Sequence, residues 1–198
     1  MALDAGRRPW RAAAGAALLA ACAGLAHPQP SPTPRMQACM ACHGPQGNSQ
    51  IPTTPSLAGQ PRVFLENQLV LIREGLRVVP EMKGLLDGVP DAEIVEMAAW
   101  FSAQKPARAA TGPANPPVFQ RGQALAGQGL CGTCHLPNYA GREQIPRLAG
   151  QPEAFLLQSM KQFRDHPGPG RDTIMSAALL GLKDQDLADL AHYLAHLP

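Results

Sequence analysis

Aromatic residues are scarce: two Trp, two Tyr and five Phe make up 5% of the 198 residues. Half of such a chain, folded as a small unit, would lack the bulky side chains that usually fill a small core. Some other apolar body must supply that volume. No uninterrupted apolar run is long enough to cross a bilayer. Alternating or β-branched runs that would mark strands are missing, which excludes a βαβ scaffold and leaves helices. An excess of one charge sign is absent too. Of the charged residues, Asp4, Arg7, Arg8 and Arg11 lie within the first 26 positions, and beyond them fourteen basic and fourteen acidic residues balance. With no basic patch and little aromatic interleaving, nucleic-acid binding has no support.

What the chain does have is Cys39-Met40-Ala41-Cys42-His43 and, later, Cys131-Gly132-Thr133-Cys134-His135. Each is a C-x-x-C-H, the spacing at which two thiols form thioether bonds to one haem and the next histidine ligates its iron. Zinc is the main rival, but structural zinc usually draws two C-x-x-C pairs onto one ion. Here each pair has its own histidine and lies far from the other. A thioredoxin-like pair would need the βαβ context that is missing. The reading is two covalent haems, which would also fill the cores that the aromatic residues leave short.

The N-terminus reads as an export signal over residues 1–26, with a basic start at Arg7, Arg8 and Arg11 and an alanine-rich apolar stretch from Ala12 to Ala21. Arg7-Arg8 suggests a twin-arginine signal, but that route carries folded proteins, whereas c-type haem is attached after export of an unfolded chain. Leu19-Ala20-Ala21-Cys22 resembles a lipobox that would make Cys22 a lipidated first residue; cleavage after Ala26 would instead discard it. One lipid chain anchors weakly, and the several chains of bacterial lipoproteins would suffice. Residues 27–34, with proline at every second position, form an extended tether of about 3.1 Å per residue.

After the tether the chain repeats itself. Leu57-Ala58-Gly59-Gln60-Pro61 recurs as Leu148-Ala149-Gly150-Gln151-Pro152, 91 positions later. The stripe Leu65, Leu69, Ile72 matches Leu156, Met160, Phe163, and the face Ile94, Met97, Ala98, Phe101 matches Leu187, Leu190, Ala191, Leu194. These are helical spacings. Asp91 and Glu93, and likewise Asp184 and Asp186, open the last helix of each half, where they suit its dipole. The expected fold class is all-α, with two helical domains at residues 35–104 and 117–198. An Ala- and Pro-rich linker, 105–116, joins them. Residues Phe119 to Gln128 predict a helix before the second motif, whereas the prolines ending at Pro34 shorten its counterpart before Cys39.

The repeat also selects candidates for the open side of each iron. Met97 aligns with Leu190 and Met160 with Leu69, so both read as core; Met36 and Met40 lie too near the attachment cysteines. Met82 and Met175 face each other across the repeat at an offset of 93, each expected in a non-helical strap before the last helix. A histidine–methionine pair gives a closed, electron-transferring iron of raised potential. The straps differ, Val79-Pro80-Glu81 against Asp172-Thr173-Ile174, and so can the potentials. His27, His166, His192 and His196 have no counterparts in the other half; His192 and His196, four apart on the last helix, offer a metal pair, but surface polar residues are the preferred reading.

Taken together, the two C-x-x-C-H motifs, the two Leu-Ala-Gly-Gln segments and the paired methionines resemble the dihaem cytochrome c4 family over about residues 36–198. The resemblance implies two tandem class I cytochrome c domains with closely packed haems. It implies His43 and Met82 on one iron and His135 and Met175 on the other. Pro55 and Pro146 would then accept a hydrogen bond from each proximal histidine through their carbonyls, fixing the ring and strengthening it as a donor. The implied role is that of a periplasmic electron carrier in a Gram-negative bacterium, with a quinol–cytochrome c reductase as donor and a terminal oxidase as acceptor. The tether, Cys22 and the shortened first helix depart from the family and bear on whether the protein diffuses freely. Two alternatives stay open: a cytochrome subunit of a periplasmic dehydrogenase, and a dihaem peroxidase, against which the paired methionines argue.

Overall fold

The computed structural model describes Met1, residues 31–110 and residues 112–198; the expected export signal beyond Met1, Cys22 and residues 27–30 of the tether lie outside them. Eight α-helices follow in order among the described residues: α1 (Pro34–His43), α2 (Arg62–Arg73), α3 (Asp91–Ser102), α4 (Pro116–Gln128), α5 (Cys131–His135), α6 (Glu153–Asp165), α7 (Thr173–Leu179) and α8 (Asp184–Ala195). No strand forms there; Arg142 and Ile145 make an isolated bridge. None of these helices is long and apolar enough to cross a membrane.

The periodic stripes become two cores. In the first, Leu65, Ile94, Met97, Ala98 and Phe101 are buried together, with Leu69 and Ile72 packed against them. In the second, Leu156, Met160, Leu187, Leu190, Ala191 and Leu194 are buried, with Phe163 against them. Met97 and Met160 are core residues, as the repeat predicts.

An arginine that the stripes do not reveal closes each helix pair. Arg73, in the last turn of α2, donates to the carbonyl of Val89 at 2.7 Å and pairs with Asp91 at the start of α3, also at 2.7 Å. Arg164, in the last turn of α6, donates to Leu182 at 2.8 Å and pairs with Asp184 at the start of α8 at 2.7 Å. The acidic residue that suits a helix N-terminus thus also anchors the preceding helix.

The two halves differ at their leading helices. Asn115 caps α4, accepting the Val118 N–H. The helix then crosses α8 so closely that a Cβ on Gly122 would meet the Asp189 carbonyl oxygen at 2.1 Å. Phe119 and Tyr139 meet Tyr193 edge-on, and Arg121 pairs with the buried Asp189 at 2.6 Å. In the first half Thr33 caps α1 and Pro34 takes its first position, so only five residues precede Cys39. Glu96, the counterpart of Asp189, is correspondingly exposed.

The halves meet along the Leu-Ala-Gly-Gln-Pro segments. Gln60 accepts from the Arg147 N–H and donates to the Arg147 carbonyl, both at 2.9 Å. Gln151 makes the mirror-image pair with Ser56, at 2.9 and 2.8 Å. All four residues are buried. Each glutamine mimics a backbone partner for the opposite half, so the buried peptide groups of Ser56 and Arg147 that it faces are paired.

Candidate haem-attachment sites

Each C-x-x-C-H is helical, which brings its two cysteines, three residues apart, onto one face. Cys39, Cys42 and His43 end α1; Cys131, Cys134 and His135 make up α5. All four thiols are free. Cys39 and Cys131 are half-buried against their respective cores, while Cys42 and Cys134 are exposed. Burial pushes both inner thiols up from their ordinary value. After each histidine the backbone turns through a conformation that favours glycine. Gly44 has φ 79° and ψ 172° and Leu136 has φ 70° and ψ 157°. Glycine fits this region without strain; leucine is held there at a cost of about 1–3 kcal/mol.

His43 and His135 are buried. The Nδ1 of His43 lies 2.8 Å from the carbonyl oxygen of Pro55, and the Nδ1 of His135 lies 2.9 Å from that of Pro146. A carbonyl only accepts, so Nδ1 carries the proton and Nε2 holds a lone pair. Burial lowers the pKa of both rings, and the proline carbonyl opposes it in part. Neutral, oriented imidazoles of this kind are metal-ligand groups in the required tautomer.

Met82 and Met175 are half-buried, each packed against the core that also holds the inner cysteine of its half. Met82 ends a single 3-10 turn, Pro80–Met82. The expectation of a non-helical strap fails at Met175, which lies within α7. There Asp172 caps the helix by accepting the Met175 N–H at 2.9 Å, and Thr173 begins it where the first half has Pro80. An aspartate cap at Asp172, where the first half has Val79 with no capping side chain, favours the helix.

Of the other histidines, His166 is exposed and His27 lies outside the described residues. His192 and His196, both half-buried, come together with Glu153. His192 is already bonded at both ring nitrogens: Nε2 accepts from the Asn115 N–H at 2.9 Å and Nδ1 reaches the Glu153 carboxylate at 3.1 Å. The cluster therefore reads as a hydrogen-bonded staple between α8, α6 and the start of α4.

Sequence reasoning missed two sets of residues, and the repeat carried the signal for both. Arg73 and Arg164 align at an offset of 91 in the last turns of matched helices. Gln60 and Gln151 stood inside the recurring segment without a role.

In each half, two thiols on one helical face, a neutral histidine with an unprotonated Nε2 and a thioether on the same core form a donor set that fits a c-type haem.

Comparisons with known proteins agree on the chemistry. The Cytochrome c family profile matches residues 119–198. Cytochrome c4 of Azotobacter vinelandii is 34% identical over 176 residues, covering 80% of this chain and 84% of that protein. The thiosulfate dehydrogenase electron acceptor of Thiomonas intermedia is 28% identical over 175 residues, 83% of this chain and 81% of that one. The crystal structure of reduced recombinant cytochrome c4 from Pseudomonas stutzeri superposes with a TM-score of 0.76. It is 33% identical, covering 83% of this chain and 95% of that one.

Proposed function

The chain belongs to the cytochrome c4 family and is a dihaem electron-transfer cytochrome; on that premise we propose that His43 and Met82 bind one haem iron and His135 and Met175 the other. Cys39 and Cys42, and likewise Cys131 and Cys134, form the thioether bonds. The domains run from 35 to 104 and from 117 to 198. The observation that carries the ligation is the same in both halves: a buried histidine whose Nδ1 proton is given to a proline carbonyl, and a methionine packed on the core beside the inner cysteine.

When bound, each haem supplies a one-electron couple between ferric and ferrous iron. The chain's residues do the rest. Pro55 and Pro146 hold the histidine rings in one orientation and keep Nε2 free of a proton. Met82 and Met175 would each supply a neutral thioether to the iron, which would raise its potential and exclude exogenous ligands. Packed cores on both sides limit rearrangement on electron transfer. The 3-10 turn at Met82 and the capped helix at Met175 give the two thioethers different surroundings, so the two potentials differ.

The protein works in the periplasm, taking electrons from a quinol–cytochrome c reductase and delivering them to a terminal oxidase. If Cys22 is lipidated, the proline tether holds it at the membrane. A second reading, favoured by the similarity to a thiosulfate dehydrogenase electron acceptor, makes it the fixed electron-accepting partner of a periplasmic dehydrogenase.

The test is to mature the full chain with haem-attachment machinery and count haem per polypeptide. Spectra of both redox states are then recorded with and without carbon monoxide. Two haems, methionine-type spectra and no carbon monoxide binding are expected. Carbon monoxide uptake by one iron removes Met82 or Met175 from the ligand set. Co-purification of a dehydrogenase in fixed ratio favours the second reading over the diffusing carrier.

A further inference from the structure

The histidine anchors and the seam between the halves share the same peptide groups. The Pro55 carbonyl that faces His43 and the Ser56 N–H that faces Gln151 belong to one peptide plane. The Pro146 carbonyl that faces His135 and the Arg147 N–H that faces Gln60 belong to another. The wiring is crossed. Both side-chain amide bonds of Gln60 go to the second half, and both of Gln151 go to the first.

We propose that Gln60 and Gln151 are crossed positioning residues, each setting the donor strength of the other half's axial histidine through the peptide that holds it. The proposal rests on the axial roles assigned above to His43 and His135. A peptide N–H that donates to a glutamine oxygen leaves its own carbonyl more negative. Cooperative strengthening of this kind amounts to about 10–30% per bond. A stronger carbonyl acceptor draws the Nδ1 proton more firmly and makes Nε2 more basic. A more basic ligand stabilises ferric iron and lowers the potential. Buried as they are, these bonds face no competition from water. Each half's potential therefore depends on its being docked to the other.

The experiment uses the full, haem-loaded chain. Gln60→Met keeps the length and removes the acceptor; Gln60→Glu keeps an acceptor for the Arg147 N–H; Gln151→Met is the reciprocal. Midpoint potentials are measured by optical titration and assigned to each half by NMR. In the reduced parent protein, ring-current-shifted proton signals of His43 and His135 first establish the ligation. If those signals are not shifted, the ligation reading fails and this inference falls with it. With ligation established, Gln60→Met is expected to raise the midpoint of the His135 half and leave the His43 half in place. Gln151→Met is expected to do the reverse. Gln60→Glu is expected to leave the His135 half at or below its parental value, and it decides the matter if the methionine variant does not fold. A shift in the variant's own half, equal shifts in both halves, or a rise with Gln60→Glu overturns the proposal while leaving the ligands standing.

Discussion

Arg147 and Ala58 are joined across the seam: a guanidinium N–H of Arg147 donates to the Ala58 carbonyl at 3.1 Å. The same side chain also donates to the carbonyl of Ala149, the residue that repeats Ala58 in the second half. One cation therefore closes both equivalent turns. Burial with no carboxylate beside it pushes the guanidinium down to about 10.

Replacing it tests the closure. Arg147→Met leaves the Ala58 and Ala149 carbonyls without their donor, and an unsatisfied buried acceptor costs about 1–3 kcal/mol. The expected result is a lower denaturant midpoint, followed by circular dichroism. A parental midpoint would mean that the glutamines hold the seam without it.

The crossing of α4 over α8 depends on the absence of a side chain at Gly122. A Cβ there would also come within 2.6 Å of the Tyr193 Cβ. Gly122→Ala is expected to cost about 1–3 kcal/mol through overpacking. Gly127, on the same helix, has open space where a Cβ would go. Gly127→Ala is expected to stabilise by about 0.4–1 kcal/mol through reduced freedom of the unfolded chain. Urea unfolding of both variants checks the contrast; equal effects would remove the close crossing as the cause.

Acidification separates the two halves' leading helices. Arg121 holds the Asp189 carboxyl below its ordinary value, helped by Gln185 and opposed by burial. A depressed folded pKa contributes stability that is complete above the unfolded value of about 3.9 and is lost as pH falls through the folded value. The gap in melting temperature between the parent and Asp189→Asn is therefore expected to hold from neutral pH to about 4.5 and to shrink below about 4. Glu96→Gln, at the exposed counterpart, is expected to leave the melting temperature unchanged at neutral pH. A gap at pH 3 that is undiminished from its neutral-pH value would rule the carboxylate out.

Arg73 ties α2 to α3, and Arg164 ties α6 to α8. Their guanidinium pKa values are raised, first by hydrogen bonds to Asp91 and Asp165 respectively. Each of Arg73→Met and Arg164→Met is expected to lower the melting temperature. The two changes lie in separate cores without shared partners, so their effects are expected to add. Strong non-additivity in the double variant would show that the two ties are energetically coupled across the seam.

The sequence by itself determined the family, the cofactor and the all-helical class. All three are written locally: a thioether motif spans five residues, and a helical face shows in its 3.6-residue period. The same locality made the stripes around Leu65, Ile94, Leu156 and Leu187 legible and named the candidate ligands. Met175 falls in a helix and not in a strap because Asp172 caps the backbone there. What only the tertiary structure decided is what meets across the repeat. Gln60 finds Arg147 and Gln151 finds Ser56 because two copies of one segment dock face to face. Arg147 lies between the turns of both, and Gly122 lets α4 lie on α8. No period or spacing encodes such contacts, because each is made by groups that are distant along the chain and share a surface only after both cores have formed.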